Sequence, residues 1–379
     1  MRKILFIIGI LLNIYGFSTN KYWGGTGNSD DANHWYTDST FSTTTTVPGS
    51  GDNAYFTKAA GNVTCTVNGT LTCLNFDCHG WGGGITSPGE YGVRFYGNVY
   101  LNGTITTGLL FSYRNTSGTS TFTSNGVTIP SLQVFGAGGT LQLIDNLTIS
   151  RTITIGEGIL NINGKIVSAI SLAISASTNN SSIIMGNNSS LTLTANTGLD
   201  FLTNNSKFSF TCNTSTIHLT SSNTSTIFKG GGFTFYNVYF DGTTGGAVIS
   251  GNNIFTNLKL APSTAKTYQF TDATTQTVTG DFIVTGSSGK VITIRSTAAS
   301  GTIPIIQSAA QIGCSNDYVA NGVTSSYYGV SFAQVGGVGS GYLGVNSSIS
   351  TGTGAPTGWN LTVCPAAAPS GNPFFGVPF

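Results

Sequence analysis

An all-β chain wound as a parallel β-solenoid with an N-terminal cap is the fold the sequence predicts, on three observations. Short period-two runs recur along the chain, among them "VRFYGNVYL" (93–101), "TLQLIDNLTI" (140–149), "SLTLTA" (190–195), "KFSFTC" (207–212), "FTFYNVYF" (233–240), "IFTNLKL" (254–260), "DFIVTG" (281–286) and "KVITIRS" (290–296). Each is rich in β-branched and aromatic residues and is bounded by Gly, Asn, Ser or Thr, which is strand-and-turn punctuation. A second trace, Asn followed by alternating apolar positions, repeats at Asn75, Asn98, Asn146, Asn237 and Asn257. Its steps of 23 residues (Asn75 to Asn98) and 20 residues (Asn237 to Asn257) suit one coil of a solenoid, which buries its apolar face only by stacking on a neighbour. A turn Asn can bond backbone and stack on the Asn of the coil above. Third, Trp23, Trp35, Trp81 and Trp359 all lie outside residues 82–358, a placement that fits closure of the two ends better than an array of β-sandwiches.

Taken from the N-terminus, Arg2 and Lys3 precede the apolar run Ile4 to Leu12, and small residues follow at Gly16 and Ser18. This reads as a secretion signal over 1–18. The run is shorter than the roughly 20 residues that span a bilayer, so no membrane insertion is expected once the signal is removed. Residues 19–60 form the expected cap and 61–300 the solenoid. A closing β region (301–362) and a Pro-rich tail (363–379) complete the chain.

Only 7% of the residues are charged, and 14 Lys plus Arg face 13 Asp plus Glu. A surface without a basic field lacks the driving force for nucleic acid or anionic lipid, so neither is an expected partner. With 39% hydrophobic residues, including 23 Phe and 15 Tyr, the chain has enough apolar content to order itself.

Cap and solenoid carry the candidate functional residues. In "KYWGGTGNSDDANHW" (21–35), Trp23 and Trp35 with Asp30 and Asp31 are the candidate binding set, a sugar-stacking platform with polar or calcium-type ligands. Sealing the first coil is the preferred role of the tryptophans, since the spacing of "NSDDAN" fits no recognised calcium loop. Six cysteines in a secreted chain favour disulfides, with one bridge expected among Cys65, Cys73 and Cys78 and another joining Cys314 to Cys364. The spacing of the first three matches no common zinc pattern, so no metal is expected, and no cofactor. Acids outside the cap are sparse and offer no obvious pair for glycoside hydrolysis. His218, within "STIHLTS", reads as an outward-facing strand residue.

Three blocks, "KYWGGTGNSDDANHW", "VPGSGDNAYF" (47–56) and "TVNGTLTCLNFDC" (66–78), together resemble the opening of a large group of bacterial and phage β-helix surface proteins. That group begins Tyr-Trp-Gly-Gly-Thr-Gly, has a second Trp, and carries Cys on its first strand. The resemblance resumes at 233–262 and 276–297 and ends at Gly358-Trp359, whereas 105–230 is similar in composition alone. It implies the β-helix fold and an extracellular surface location, and it implies no reaction. The expected function is therefore that of a non-catalytic, secreted surface or fibre protein, structural or adhesive, making weak repeated contacts to glycans or other surface proteins. A trimer is compatible with such a role, and a polysaccharide-cleaving β-helix is the alternative.

Overall fold

The computed structural model describes residues 18–105, 108–175, 179–195, 197–201, 206–221, 225–242, 246–286, 288–297, 303–308, 319–321, 330–334, 341–342, 348–349 and 356–360. The chain is a β-solenoid of about 11 turns, 53% strand and 2% helix. Each full coil passes through three walls, which are numbered here in the order the chain meets them. In an early coil these are Asn53–Tyr55 (wall 1), Thr64–Thr66 (wall 2) and Leu71–Cys73 (wall 3). The next coil repeats them as Phe76–Asp77, Gly84–Thr86 and Gly92–Phe95, each parallel to the strand before it.

Period-two patterning produces the walls. Along wall 2 the inward side chains Leu147, Val167, Leu191, Ile217, Val238, Leu258 and Phe282 lie in register on successive coils. All of them are buried, with relative exposure of 4% or less. Alternation is what fixes this register, since a slip of one residue would turn the whole ladder into water.

Two strands are longer than the sequence pattern indicates: Ser131–Leu143 and Thr152–Asn161 run from wall 3 around a corner into wall 1. The corner is glycine-built, and Gly158 has φ 81. A Cβ on Gly158 would meet the Gly136 carbonyl oxygen at 2.1 Å, so the stacked corners approach backbone to backbone. At the corner between walls 1 and 2, Asn125, Asn163, Asn188 and Asn213 all take positive φ, which Asn tolerates better than most residues.

The cap forms over the first coil. Trp35–Tyr36 pairs antiparallel with Asn20–Trp23, covering the free edge that stacking would otherwise expose. Trp23 and Trp35 meet edge to face at 5.2 Å, and both pack on Phe56. Trp359, near the other end, packs on Phe332 at 5.4 Å. Strand stacking continues past residue 300, since Ile305–Ser308 pairs with both Thr275–Val278 and Ser331–Gln334. No described helix is long and apolar enough to cross a membrane.

The expected bridge among Cys65, Cys73 and Cys78 is not formed, and all three are buried free thiols. Cys65 is in register with Ile85 on wall 2 and Cys73 with Phe95 on wall 3. Cys78 follows the wall 1 strand Phe76–Asp77. Each therefore fills an inward, apolar position of its own wall, and burial pushes all three thiols well above their ordinary pKa. Cys212 is a fourth free thiol and is partly exposed, while Cys314 and Cys364 lie outside the described residues.

Candidate functional site

Two of the residues that could form a stacking platform are closed to solvent, as a capping role requires. Trp23 and Trp35 each have 0% relative exposure, so neither ring face is open to a sugar. Trp35 Nε1 donates to the Ser29 carbonyl at 2.9 Å, a bond that holds the cap loop onto the coil beneath. The two acids complete the loop. Asp31 accepts from the Asn33 amide at 2.9 Å and caps a short 3-10 turn, and Asp30 accepts from Asn68 Nδ2 at 3.0 Å. Among the described residues no group of three or more His, Cys, Asp or Glu is arranged to hold a metal ion.

The exposed aromatic surface lies just beside the cap, on the outer face of wall 1. There Tyr55, Asp77 and Tyr100 are in register on successive coils. Tyr22 stacks on Tyr55 at 5.2 Å with 19° between the rings, and the exposed His79 leans on Tyr100 at 4.7 Å. Two coil steps separate Tyr55 from Tyr100, about 10 Å. The shorter Asp77 between them leaves a trough of about 300 Å³ whose walls also include Asn75, Asn98, Thr121 and Thr123. Burial, then the Asp77 charge, raises the Tyr55 hydroxyl above its ordinary pKa, so it remains a neutral hydrogen-bonding group.

An amide ladder holds that trough in place. Asn53 Nδ2 donates to Asn20 Oδ1 at 2.8 Å and Asn75 Nδ2 to Asn53 Oδ1 at 2.7 Å. The Asn98 backbone amide donates to Asn75 Oδ1 at 2.6 Å, and the Thr121 amide to Asn98 Oδ1 at 2.8 Å. The Asn repeat thus stacks coil on coil, as its spacing predicts.

Asn237 and Asn257 belong to a second ladder, on wall 2. Asn257 Nδ2 donates to Asn237 Oδ1 at 2.7 Å, Asn237 Nδ2 to Thr216 Oγ1 at 3.0 Å, and the Asp281 amide to Asn257 Oδ1 at 2.9 Å. Two positions along from these residues, His218, Tyr239 and Lys259 are in register on the outer face. His218 Nδ1 lies 2.7 Å from Asp241 Oδ2, and Lys259 Nζ lies 3.6 Å from Asp241 Oδ1. The His218 hydrogen bond outweighs burial and, helped by Lys259, holds the Asp241 carboxyl below its ordinary pKa. His218 does lie on the outer face, as its strand position predicts, but it is not isolated. The sequence signal for its partner is a step of 23 residues, the 21-residue coil from His218 to Tyr239 and two positions more.

No protein-family model matches the sequence, and no characterised protein or solved structure matches it either.

Proposed function

We propose that this is a secreted β-solenoid surface or fibre protein that holds glycans on wall 1. One observation carries the reading: the trough over Asp77 combines the Tyr55 and Tyr100 rings with the side chains of Asn75 and Asn98 in one shallow, nearly uncharged surface. Sugar rings present apolar C–H faces and a rim of hydroxyls. Tyrosine faces suit the first, and amide and carboxylate oxygens suit the second. Such a contact is weak alone and gains from repetition along a polymer, because each further contact of a bound chain is intramolecular. The apolar leader and the resemblance to bacterial and phage surface proteins support a secreted, extracellular location, where neighbouring surface proteins are further partners.

Affinity electrophoresis of the full chain through gels containing dextran, xylan or soluble cellulose tests the reading. Retardation by at least one polymer is expected, with at least a tenfold loss of affinity in a Tyr55→Ala/Tyr100→Ala double variant. Equal retardation of the variant, or none by any polymer, overturns it.

A further inference from the structure

The wall 2 cluster supports an activity that goes beyond glycan holding and does not depend on wall 1. Asp241 is held ionised, and a carboxylate only accepts hydrogen bonds. The proton in the 2.7 Å contact therefore sits on His218 Nδ1, which leaves Nε2 as the nitrogen that carries the lone pair whenever the imidazole is neutral. His218 Nε2 has no hydrogen-bond partner among the described residues. The side chains of His218 and Asp241 are 31% and 26% exposed, so the pair is open to a ligand while partly shielded from water.

Next to this base, in the adjoining coil, is Tyr239, whose ring meets the imidazole edge to face at 5.5 Å. Lys259, one coil further, places its ammonium 5.3 Å from the Tyr239 ring centre. Around Asp241 the other ionisable groups are inward. The Tyr268 hydroxyl is buried, without a partner, and raised in pKa by burial and by Asp241. Lys266 Nζ donates to the Gly242 carbonyl, and burial lowers its pKa. Base, hydroxyl and ammonium thus occupy three successive coils over a span of about 10 Å.

We propose that His218, Tyr239 and Lys259 form a β-elimination site for uronate-containing polysaccharides, with Asp241 as the positioning residue. A uronate carries an acidic C–H next to its carboxylate, and the glycosidic oxygen sits on the neighbouring carbon. Lys259 pairs with the carboxylate and stabilises the negative charge that develops there. His218 Nε2 takes the C5 proton, and the electron pair left behind forms the C4–C5 double bond. The C4–O bond breaks, and the leaving oxygen takes a proton from the Tyr239 hydroxyl. Release of the His218 proton to water and reprotonation of Tyr239 restore the site, with no oxidant, metal or cofactor consumed. Acyl transfer fits the cluster less well, because no hydroxyl or thiol hydrogen-bonds to His218 among the described residues.

The test incubates the full chain with polygalacturonate, alginate and hyaluronan and follows the ultraviolet absorbance of the unsaturated uronate end. Product from at least one polymer is expected, and none from carboxyl-reduced polygalacturonate. A positioned acid or base contributes about 10²–10⁴-fold, so His218→Gln should lower turnover at least 100-fold while the chain stays folded. Lys259→Gln should act mainly on KM. Asp241→Asn should lower kcat with little change in KM, and Asp241→Glu should restore part of it, a split that a purely structural role would not give. Absence of unsaturated product from all three polymers overturns the proposal. So does equal turnover by His218→Gln, or cleavage that yields reducing ends without a double bond. Because wall 1 is untouched, these outcomes are independent of the Tyr55→Ala/Tyr100→Ala retention result.

Discussion

The two amide ladders are built alike and differ in what stands beside them. On wall 1 the sequence runs Asn53-Ala54-Tyr55, Asn75-Phe76-Asp77, Asn98-Val99-Tyr100, and on wall 2 Thr216-Ile217-His218, Asn237-Val238-Tyr239, Asn257-Leu258-Lys259. In both, the first residue bonds to the next coil, the second fills the core, and the third faces out. The scaffold is therefore common, and the third position sets the chemistry. Tyrosines flanking one acid make a stacking trough on wall 1, whereas His, Tyr and Lys gathered around Asp241 make a proton-transfer cluster on wall 2.

Removing the middle residue breaks the comparison most severely. Phe76 is fully buried and touches Phe56 and Phe111, with ring centres at 5.1 and 6.0 Å. Phe76→Ala should cost about 3–5 kcal/mol in denaturant unfolding. Leu258, equally buried on wall 2, loses fewer atoms on truncation, so Leu258→Ala should cost less. Equal losses would mean that the larger Phe76 ring and its aromatic contacts beneath wall 1 add no stability over an aliphatic side chain.

A smaller effect is expected from the first residue. Asn75→Ala leaves the Asn98 amide and Asn53 Oδ1 without their partner, and Asn257→Ala does the same to the Asp281 amide and Asn237 Oδ1. Each should cost about 1–3 kcal/mol, the range for orphaning a partly buried polar group. Similar values on the two walls would support a common scaffold, and a loss on one wall alone would show that the ladders are not equivalent.

Much of this architecture is legible in the sequence, because alternation fixes which side chains face inward and the coil step is printed in the Asn repeat. "IFTNLKL" is the strand Ile254–Leu260 without adjustment. What the repeat does not carry is phase: Asn98 and Asn237 look like one series and stand on different walls. Strands that turn a glycine corner, such as Ser131–Leu143, read as two because glycine usually ends a strand. The paired tryptophans read as well for a sugar platform as for a sealed cap because both use the same residue types, and only burial separates the two roles. The cysteines mislead for a related reason, since a thiol in a core ladder and a thiol in a bridge are the same letter. Native-state alkylation mapped by mass spectrometry should therefore modify Cys212 well before Cys65, Cys73 and Cys78, which should react only on unfolding. A disulfide found among the three would restore the bridged arrangement and contradict their free, inward placement.

The smallest expected effect concerns acid. An unfolded Asp titrates near about 3.9, and Asp241 is held below its ordinary value in the fold. A carboxyl with a depressed folded pKa contributes stability that is complete above the unfolded value and is lost as pH falls through the folded one. Wall 2 should thus weaken below about pH 4, and Asp241→Asn should flatten that part of the profile while leaving the rest in place. Asp52, at the cap end of wall 1, provides the matching control. Burial raises its pKa, but the Thr19 hydroxyl, the Gly49 amide and Lys21 outweigh that and leave it depressed. Because Asp241 is partly exposed, solvent screening keeps its share small. Chemical melts of wild type, Asp241→Asn and Asp52→Asn at pH 7 and pH 3 would read both contributions. If Asp241→Asn loses as much stability on acidification as wild type, the His218 and Lys259 contacts do not stabilise the ionised carboxylate, and the charge arrangement on which wall 2 differs from wall 1 fails with them.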